Sequence, residues 1–343
     1  MTMKLTIGIK ALNEERKIAA AIESALVALA PFDGEVVLAD SGSDDATVEI
    51  ARRYPIRIVQ LDHPDERSCG AGAQLAFQAA RTEFFYLLDG DMVLSADFLP
   101  SAIETMEAFP DVAGVGGQVV ETNTEGPENL IRAKVLQSSG ARPAGEVDRL
   151  DGGGLYRTAA IRQVGYFADR NLHAFEEFEL ASRLRANGWR LLRLNRPAVS
   201  HHGHKGGGYR LLLRRLQTGY AGAAGEVLRA AIGRPHFWRV LRLSHIRYGV
   251  AVILWWLAIL TALGYPALAL PTRIFLIAAL ALAPLVLLTL RRGSLALGLY
   301  SLASWNVAAV GLISGLFQNR REPVAPIAAS WKHDPKTESE GRR

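Results

Sequence analysis

Apolar residues along this chain change their spacing near its middle. Up to about residue 205 they come in short runs, each followed by a polar turn and then by a segment with apolar residues three and four apart. Short uninterrupted runs read as strands buried on both faces, and the three-four spacing reads as helices with one buried face. Leu5-Thr6-Ile7-Gly8-Ile9 reads as a first strand, after which Ile18, Ile22, Ala25, Leu26 and Leu29 share a helical face. Residues 35–39 read as a second strand, 46–54 as a helix and 56–59 as a third strand. A β-α-β-α-β opening predicts parallel strands wound right-handed. A helix leading to Ala80, a strand over 84–88, a helix over 97–107 and a strand over 112–120 continue the alternation. Helices over 158–164 and from Glu176, then a strand over 189–194, complete it.

Beyond residue 248 the pattern is different. Tyr248–Thr272 holds no charge across 25 residues and Ser294–Asn319 none across 26. Each exceeds the roughly 20 residues that cross about 30 Å of hydrocarbon. Ile274–Leu290, 17 residues between Arg273 and Arg291, is at the short limit and contains Pro284, which favours a kink. Three spans are predicted, near 248–270, 273–290 and 295–317. The expected organisation is an α/β domain over 1–205, basic amphipathic interfacial helices over 206–245, a transmembrane region over 246–319 and a flexible tail over 320–343.

Charge sharpens this division. Arg190 to Arg247 carries twelve Lys or Arg residues and one acid, Glu226. Arginine mixed with leucine and aromatics suits an anionic membrane surface, and the apolar runs just downstream favour lipid over nucleic acid as the partner. A basic collar beside the first span predicts a multi-pass inner-membrane protein with its α/β domain in the cytoplasm. Three spans would then leave Arg320 and Arg321 outside, against the positive-inside preference. A single cysteine, Cys69, excludes an internal disulfide framework. The first residues pass almost directly into a strand pattern and show no signal-peptide core.

The chemistry concentrates where strands end. Phe84-Phe85-Tyr86-Leu87-Leu88 runs into Asp89-Gly90-Asp91, and in an open α/β sheet ligands bind at that end of a strand. Two carboxylates around a glycine can share one hard cation such as Mg²⁺ or Mn²⁺, or form a solvated turn. Asp40 to Thr47 follows the second strand at the same edge, and Asp44 or Asp45 could equally cap the next helix. Asn13 reads as a helix cap or as a ligand. Gly152-Gly153-Gly154 permits close backbone approach or a flexible turn. Glu176 and Glu177 open a helix, where the dipole favours carboxylates and crowding can raise the pKa of a general base. His201, His202 and His204 follow the last strand, one of them a candidate to complete a metal shell. Gly70-Ala71-Gly72-Ala73-Gln74-Leu75 lacks the third glycine of a dinucleotide loop, and neither a phosphate loop nor a nucleophile elbow is present.

In this order the motifs resemble the inverting glycosyltransferases of family 2, with the GT-A fold: a mostly parallel sheet between helices, here followed by transmembrane helices. The resemblance covers roughly residues 3–205. It rests on Asn13-Glu14, the intact Asp40-Ser41-Gly42-Ser43-Asp44-Asp45-Ala46-Thr47, Asp89-Gly90-Asp91, the glycines 152–154, and Glu176-Glu177 with Gly188-Trp189-Arg190 downstream. The proline and tyrosine usual before Asn-Glu are absent from Lys10-Ala11-Leu12, and Glu177 stands where the family usually has Asp. No Gln-x-x-Arg-Trp of the processive synthases follows. The resemblance implies that Ala11, Asn13, Glu14, Asp40, Ser43, Asp45, Asp89, Gly153 and Gly154 bind the nucleotide-sugar, with Asp40 at the base. It implies that Asp89, Asp91 and His201 hold Mg²⁺ or Mn²⁺, and that Glu177, assisted by Glu176, is the catalytic base. The implied partners are a UDP- or GDP-sugar, membrane lipids or a lipid-linked acceptor, and other polysaccharide-assembly proteins. A nucleotidyltransferase on a similar sheet and a non-catalytic membrane scaffold are the competing classes.

Overall fold

The computed structural model describes residues 4–121, 143–201, 208–265 and 269–335. The chain forms two compact units: Met1–Thr124 with Lys134–Lys205 and Arg320–Arg343, and Glu125–Ala133 with Gly206–Asn319.

In the first unit the opening apolar runs become β1 (Leu5–Ala11), β2 (Gly34–Asp40) and β3 (Arg57–Leu61), joined by α1 (Ile18–Leu29) and α2 (Thr47–Ala51). Then come α3 (Cys69–Gln78), β4 (Phe84–Asp89), β5 (Met92–Leu94), α4 (Phe98–Ala108) and β6 (Val112–Glu121). Among the described residues, β7 (Gly145–Glu146), β8 (Gly154–Arg157), α5 (Thr158–Gln163), α6 (Glu176–Ala186) and β9 (Arg190–His201) follow. They form one ten-stranded sheet in the order β10-β3-β2-β1-β4-β8-β6-β9-β5, with β7 beside β9 and β10 (Ala329–His333) at the edge. β3, β2, β1 and β4 are mutually parallel, as are β6 and β9, while β8 runs antiparallel between β4 and β6. The expected mostly parallel sheet is thus mixed, and its parallel half brings the carboxyl ends of β1, β2 and β4 to one edge.

The core explains the uninterrupted run at the head of the Asp89 turn. Phe84, Tyr86 and Leu88 face α1 and α4, while Phe85 and Leu87 face α3, α5 and α6. Alternate residues of a strand point to opposite faces, so a strand covered on both must be apolar throughout.

The flexible tail expected from residue 320 is corrected for residues 320–335. Ala329–His333 pairs antiparallel with β3 and covers that edge of the sheet. Gln78 bonds Ile327 twice, accepting from its N–H at 2.9 Å and donating to its carbonyl at 3.0 Å. Arg170 donates to the carbonyls of Ala325 and Pro326, and the Arg57 guanidinium lies 3.9 Å over the Trp331 ring. Backbone pairing and buried arginines hold this segment, so it carries no apolar periodicity to be read in advance.

The second unit holds α7 (Tyr209–Gln217), a single turn at Tyr220–Gly222, α8 (Ala223–Ala231) and α9 (Phe237–Leu241). Three longer helices follow: α10 (Ser244–Gly264), α11 (Leu270–Arg292) and α12 (Leu295–Phe317). All three are long and apolar enough to cross a membrane. α11 continues through Pro284.

Candidate active site

Two loops at the carboxyl edge are stitched to each other. The Asp40 carboxylate, 0 % exposed, accepts from the Gly42 N–H (2.9 Å), the Ser43 N–H (2.8 Å), the Ser43 hydroxyl (2.5 Å) and Gln60 Nε2 on β3 (2.8 Å). Ser43 Oγ in turn accepts from the Asn13 N–H at 2.9 Å, and Asn13 Oδ1 from the Asp44 N–H at 3.0 Å. Asn13 adopts φ 56°, a left-handed conformation that asparagine tolerates well. Asp45 accepts from Thr47 and from the Glu15 N–H at 3.0 Å, and its carboxyl lies below the usual range because these hydrogen bonds outweigh the effect of its burial. The Ala11 carbonyl accepts from the Ser41 N–H at 2.9 Å. Arg67 donates to the carbonyls of Ser41 and Gly42. Asp40 therefore anchors the loop through the loop's own backbone, and Asn13 is a clamp between loops.

At the end of β4 the two aspartates face different partners. Lys10 Nζ on β1 is 3.2 Å from Asp89 Oδ1 and donates to Glu176 Oε1 at 2.8 Å. Burial opposes the charge on Lys10, yet Asp89 and Glu176 hold its pKa well above the ordinary value. The Asp89 carboxyl is raised, first by burial and then by Asp91 and Glu176 against the pull of Lys10. Asp91 Oδ2 is 3.2 Å from His201 Nε2, at the end of β9, and 3.6 Å from Lys17 Nζ. Glu14 stands on the same side, pushed up to about 7 by burial and then by Asp91. His202 and His204 lie outside the described residues. Among the described residues no three His, Cys, Asp or Glu side chains converge as a ready metal cage. Mg²⁺ and Mn²⁺ are ordinarily held by one or two protein groups together with substrate phosphates, and Asp91 with His201 is such a pair. Asp89 Oδ1, buried and without an aligned hydrogen bond, is the further oxygen at the same turn.

Glu177 is fixed by the glycine turn. Its Oε1 accepts from the Gly153 N–H at 2.8 Å. Gly153 has φ +86°, and a Cβ there would meet the Leu87 carbonyl at 2.1 Å, so only glycine brings this backbone against β4. Gly154 opens β8 and is buried. Phe175, just before α6, is left-handed at φ 68°, an unfavourable conformation for a bulky residue, held by the surrounding structure. Part of that restraint is Arg183, which binds Glu179 at 2.7 and 2.8 Å and the carbonyls of Val164, Tyr166 and Phe167. Burial, then the neighbouring Glu176, pushes the Glu177 carboxyl up to about 8.

The structure thus sets the carboxylates named from the sequence against two cations that were not named, Lys10 between Asp89 and Glu176 and Lys17 beside Asp91. Lys10 occupies the position of the missing proline; a lysine one residue before the end of a buried strand was its only signal. Replacing Lys10 with Met leaves Asp89 and Glu176 buried together without a cation. The expected loss is about 3 kcal/mol of stability, checked by thermal and denaturant unfolding, with Lys10→Arg retaining most of it.

The sequence profile of Glycosyl transferase family 2 matches residues 6–164. That stretch, most of it in the first unit, is similar to that family. Succinoglycan biosynthesis protein ExoA of Rhizobium meliloti (strain 1021) is 29% identical over 177 residues, 50% of this chain and 49% of that protein. Dodecaprenyl-phosphate galacturonate synthase of Rhizobium johnstonii is 29% identical over 116 residues, 31% of this chain and 33% of that protein. The chain thus spans half, or less, of the length of these curated relatives. Among solved structures, mannosyltransferase PcManGT from Pyrobaculum calidifontis, in complex with GDP-Man and Mn2+, superposes with a TM-score of 0.58 at 19% identity, over 91% of this chain and 88% of that one. The first unit has the GT-A type of sheet.

Proposed function

We propose that this chain is a family 2 glycosyltransferase, moving a sugar from a UDP- or GDP-sugar, with inversion, to a hydroxyl or phosphate of a membrane-held acceptor. The observation that carries this reading is Glu177, a carboxylate with a pKa raised to about 8 and fixed by the Gly153 N–H beside the Asp89–Asp91 turn. A base must sit within hydrogen-bond reach of the acceptor proton with a pKa near working pH, and Glu177 meets the second condition by construction. Lys10 offsets part of the repulsion that Glu176 and Asp89 exert on the deprotonated form. The loops carrying Asn13, Ser43 and Asp45 line the nucleotide side, shaped from beneath by Asp40. Asp91 and His201, with Asp89, would hold a divalent cation. Bound there, Mg²⁺ or Mn²⁺ offsets the negative charge gained by the leaving nucleoside diphosphate. The cation bound with GDP-Man in the PcManGT structure supports this assignment.

A relative named as a dodecaprenyl-phosphate sugar synthase, together with three long apolar helices, supports a polyprenyl-phosphate or lipid-linked acceptor. The basic collar favours a cytoplasmic catalytic unit, the compartment of nucleotide sugars. The test is nucleoside-diphosphate release from a panel of nucleotide sugars by detergent-purified full-length protein, with added membrane lipids. The expected result is Mn²⁺- or Mg²⁺-dependent release from one donor. Release of pyrophosphate instead would assign a nucleotidyltransferase, and absence of metal-dependent donor binding would refute catalysis.

A further inference from the structure

We infer that only the α10–α11 hairpin crosses the bilayer, while α12 lies along the basic collar on the same side as the catalytic unit. The first ground is the path of the chain. It leaves the catalytic unit at residue 205 and re-enters it at residue 320. Strand β10 is hydrogen-bonded into the same sheet as β1. A chain that begins and ends in one compact unit crosses a membrane an even number of times between, so three crossings are excluded.

Which helix stays behind is decided by contacts within the second unit. Trp255 Nε1 donates to the Leu280 carbonyl at 2.8 Å, nine residues before the end of α10 and ten after the start of α11. Equal distances from the turn are those of two helices lying side by side. α12 meets α10 differently. Gly249 faces Leu312, with Ala308 beside it, and Tyr248 stacks on Trp305 at 4.5 Å. Seven residues further along α10, Trp256 donates to Asn306 Oδ1 at 2.9 Å. Contacts that advance along one helix without advancing along the other mark a steep crossing, unlike the roughly 20° of a membrane bundle.

α12 instead follows the collar. Tyr300 packs edge-on against Tyr209 of α7 at 5.6 Å. A Cβ on Gly311 would meet the Ala221 carbonyl at 1.9 Å, and one on Gly315 the Gly222 carbonyl at 2.0 Å. Arg229 of α8 donates to the Gln318 carbonyl. The contacts run from Tyr300 to Gln318, a length of about 27 Å at 1.5 Å per residue. Were α12 to cross, the neighbouring exposed Arg210 and Arg214 would enter hydrocarbon with it, where a charged side chain is strongly disfavoured. α12 is also the least apolar and most buried of the three helices. A hairpin places Arg247, Arg291, Arg292, Arg320 and Arg321 on the catalytic side and leaves Arg273 opposite, in keeping with the positive-inside rule.

The test is labelling of single cysteines in the full-length protein by a membrane-impermeant maleimide, in intact spheroplasts and in inverted vesicles. Cys69→Ser supplies the background, with Cys69→Ala as a second version should the first misfold. Glu104→Cys on α4, Ser294→Cys between α11 and α12, and Lys332→Cys on β10 are expected to label from one face only. Tyr265→Cys, after α10, is expected to label from the other. Labelling of Lys332→Cys from the face opposite Glu104→Cys overturns the inference. So does labelling of all four from one face, or of Ser294→Cys with Tyr265→Cys. The readout needs no turnover, so it stands apart from the donor-release assay and its failure is distinguishable from failure of the catalytic reading.

Discussion

Asp91→Asn is expected to lose about 10³-fold in transfer, equivalent to about 4 kcal/mol of transition-state stabilisation, while the protein stays folded. Asp91 has His201 Nε2 at 3.2 Å and Lys17 Nζ at 3.6 Å. Asparagine keeps the shape of the turn and removes the charge that, on the proposed reading, would hold a cation against the departing diphosphate. The fold should not suffer, because Asp91 also repels Glu14, whose carboxyl burial and Asp91 together push up to about 7. Removing that repulsion lowers the Glu14 pKa and offsets the lost contact with Lys17. Calorimetric titration with the donor, with and without Mn²⁺, should show the metal-dependent part of binding disappear, and thermal unfolding should move little. Transfer at the parental rate would show that no cation acts at Asp91.

The contrast between Asp91 and Asp89 shows how much of the site was legible beforehand. Strand, turn and paired acids were all visible in Phe84 to Asp91, because a doubly covered strand must be apolar and its polar end must therefore be abrupt. The division of labour was not, since it depends on Lys10 arriving from β1 in register beside β4. Lys10 and Asp89 are register partners, a relation between two distant stretches that no local spacing records. The loop role of Asp40 was hidden for the same reason, its Gln60 partner being on β3. The β10 segment was missed because its attachment runs through backbone pairing and the side chains of Gln78, Arg170 and Arg57. The three apolar helices were found from length and composition, which say that a helix can cross but not which way it lies. The packing of α12 against α10 and along the collar is written in Gly249, Gly311 and Gly315, as close approach at particular positions.

Glu177→Gln is expected to lose about 10²–10⁴-fold in transfer while donor binding is kept. Glutamine retains the oxygen that accepts from the Gly153 N–H, so the α6 start and the glycine turn keep their geometry. What it lacks is the ability to take a proton. In the parent, the base works only when ionised, so the rate should fall as pH drops through a limb displaced upward, to about 8 in the absence of cation. Added Mg²⁺ or Mn²⁺ should move that limb to lower pH, since positive charge near Asp89 and Asp91 favours the carboxylate. The same displacement has a stability signature of opposite sense. A carboxyl raised on folding favours the protonated native state, so its contribution is full below the unfolded value near 4.5 and is lost as pH rises through about 8. Glutamine cannot ionise and does not lose it. The variant should therefore match the parent near pH 4 and become the more stable protein above pH 8, by on the order of a few kcal/mol. A purely structural Glu177 would give the reverse, a variant less stable at every pH. Unfolding curves across pH thus separate a carboxylate held ready for chemistry from one that merely holds the helix.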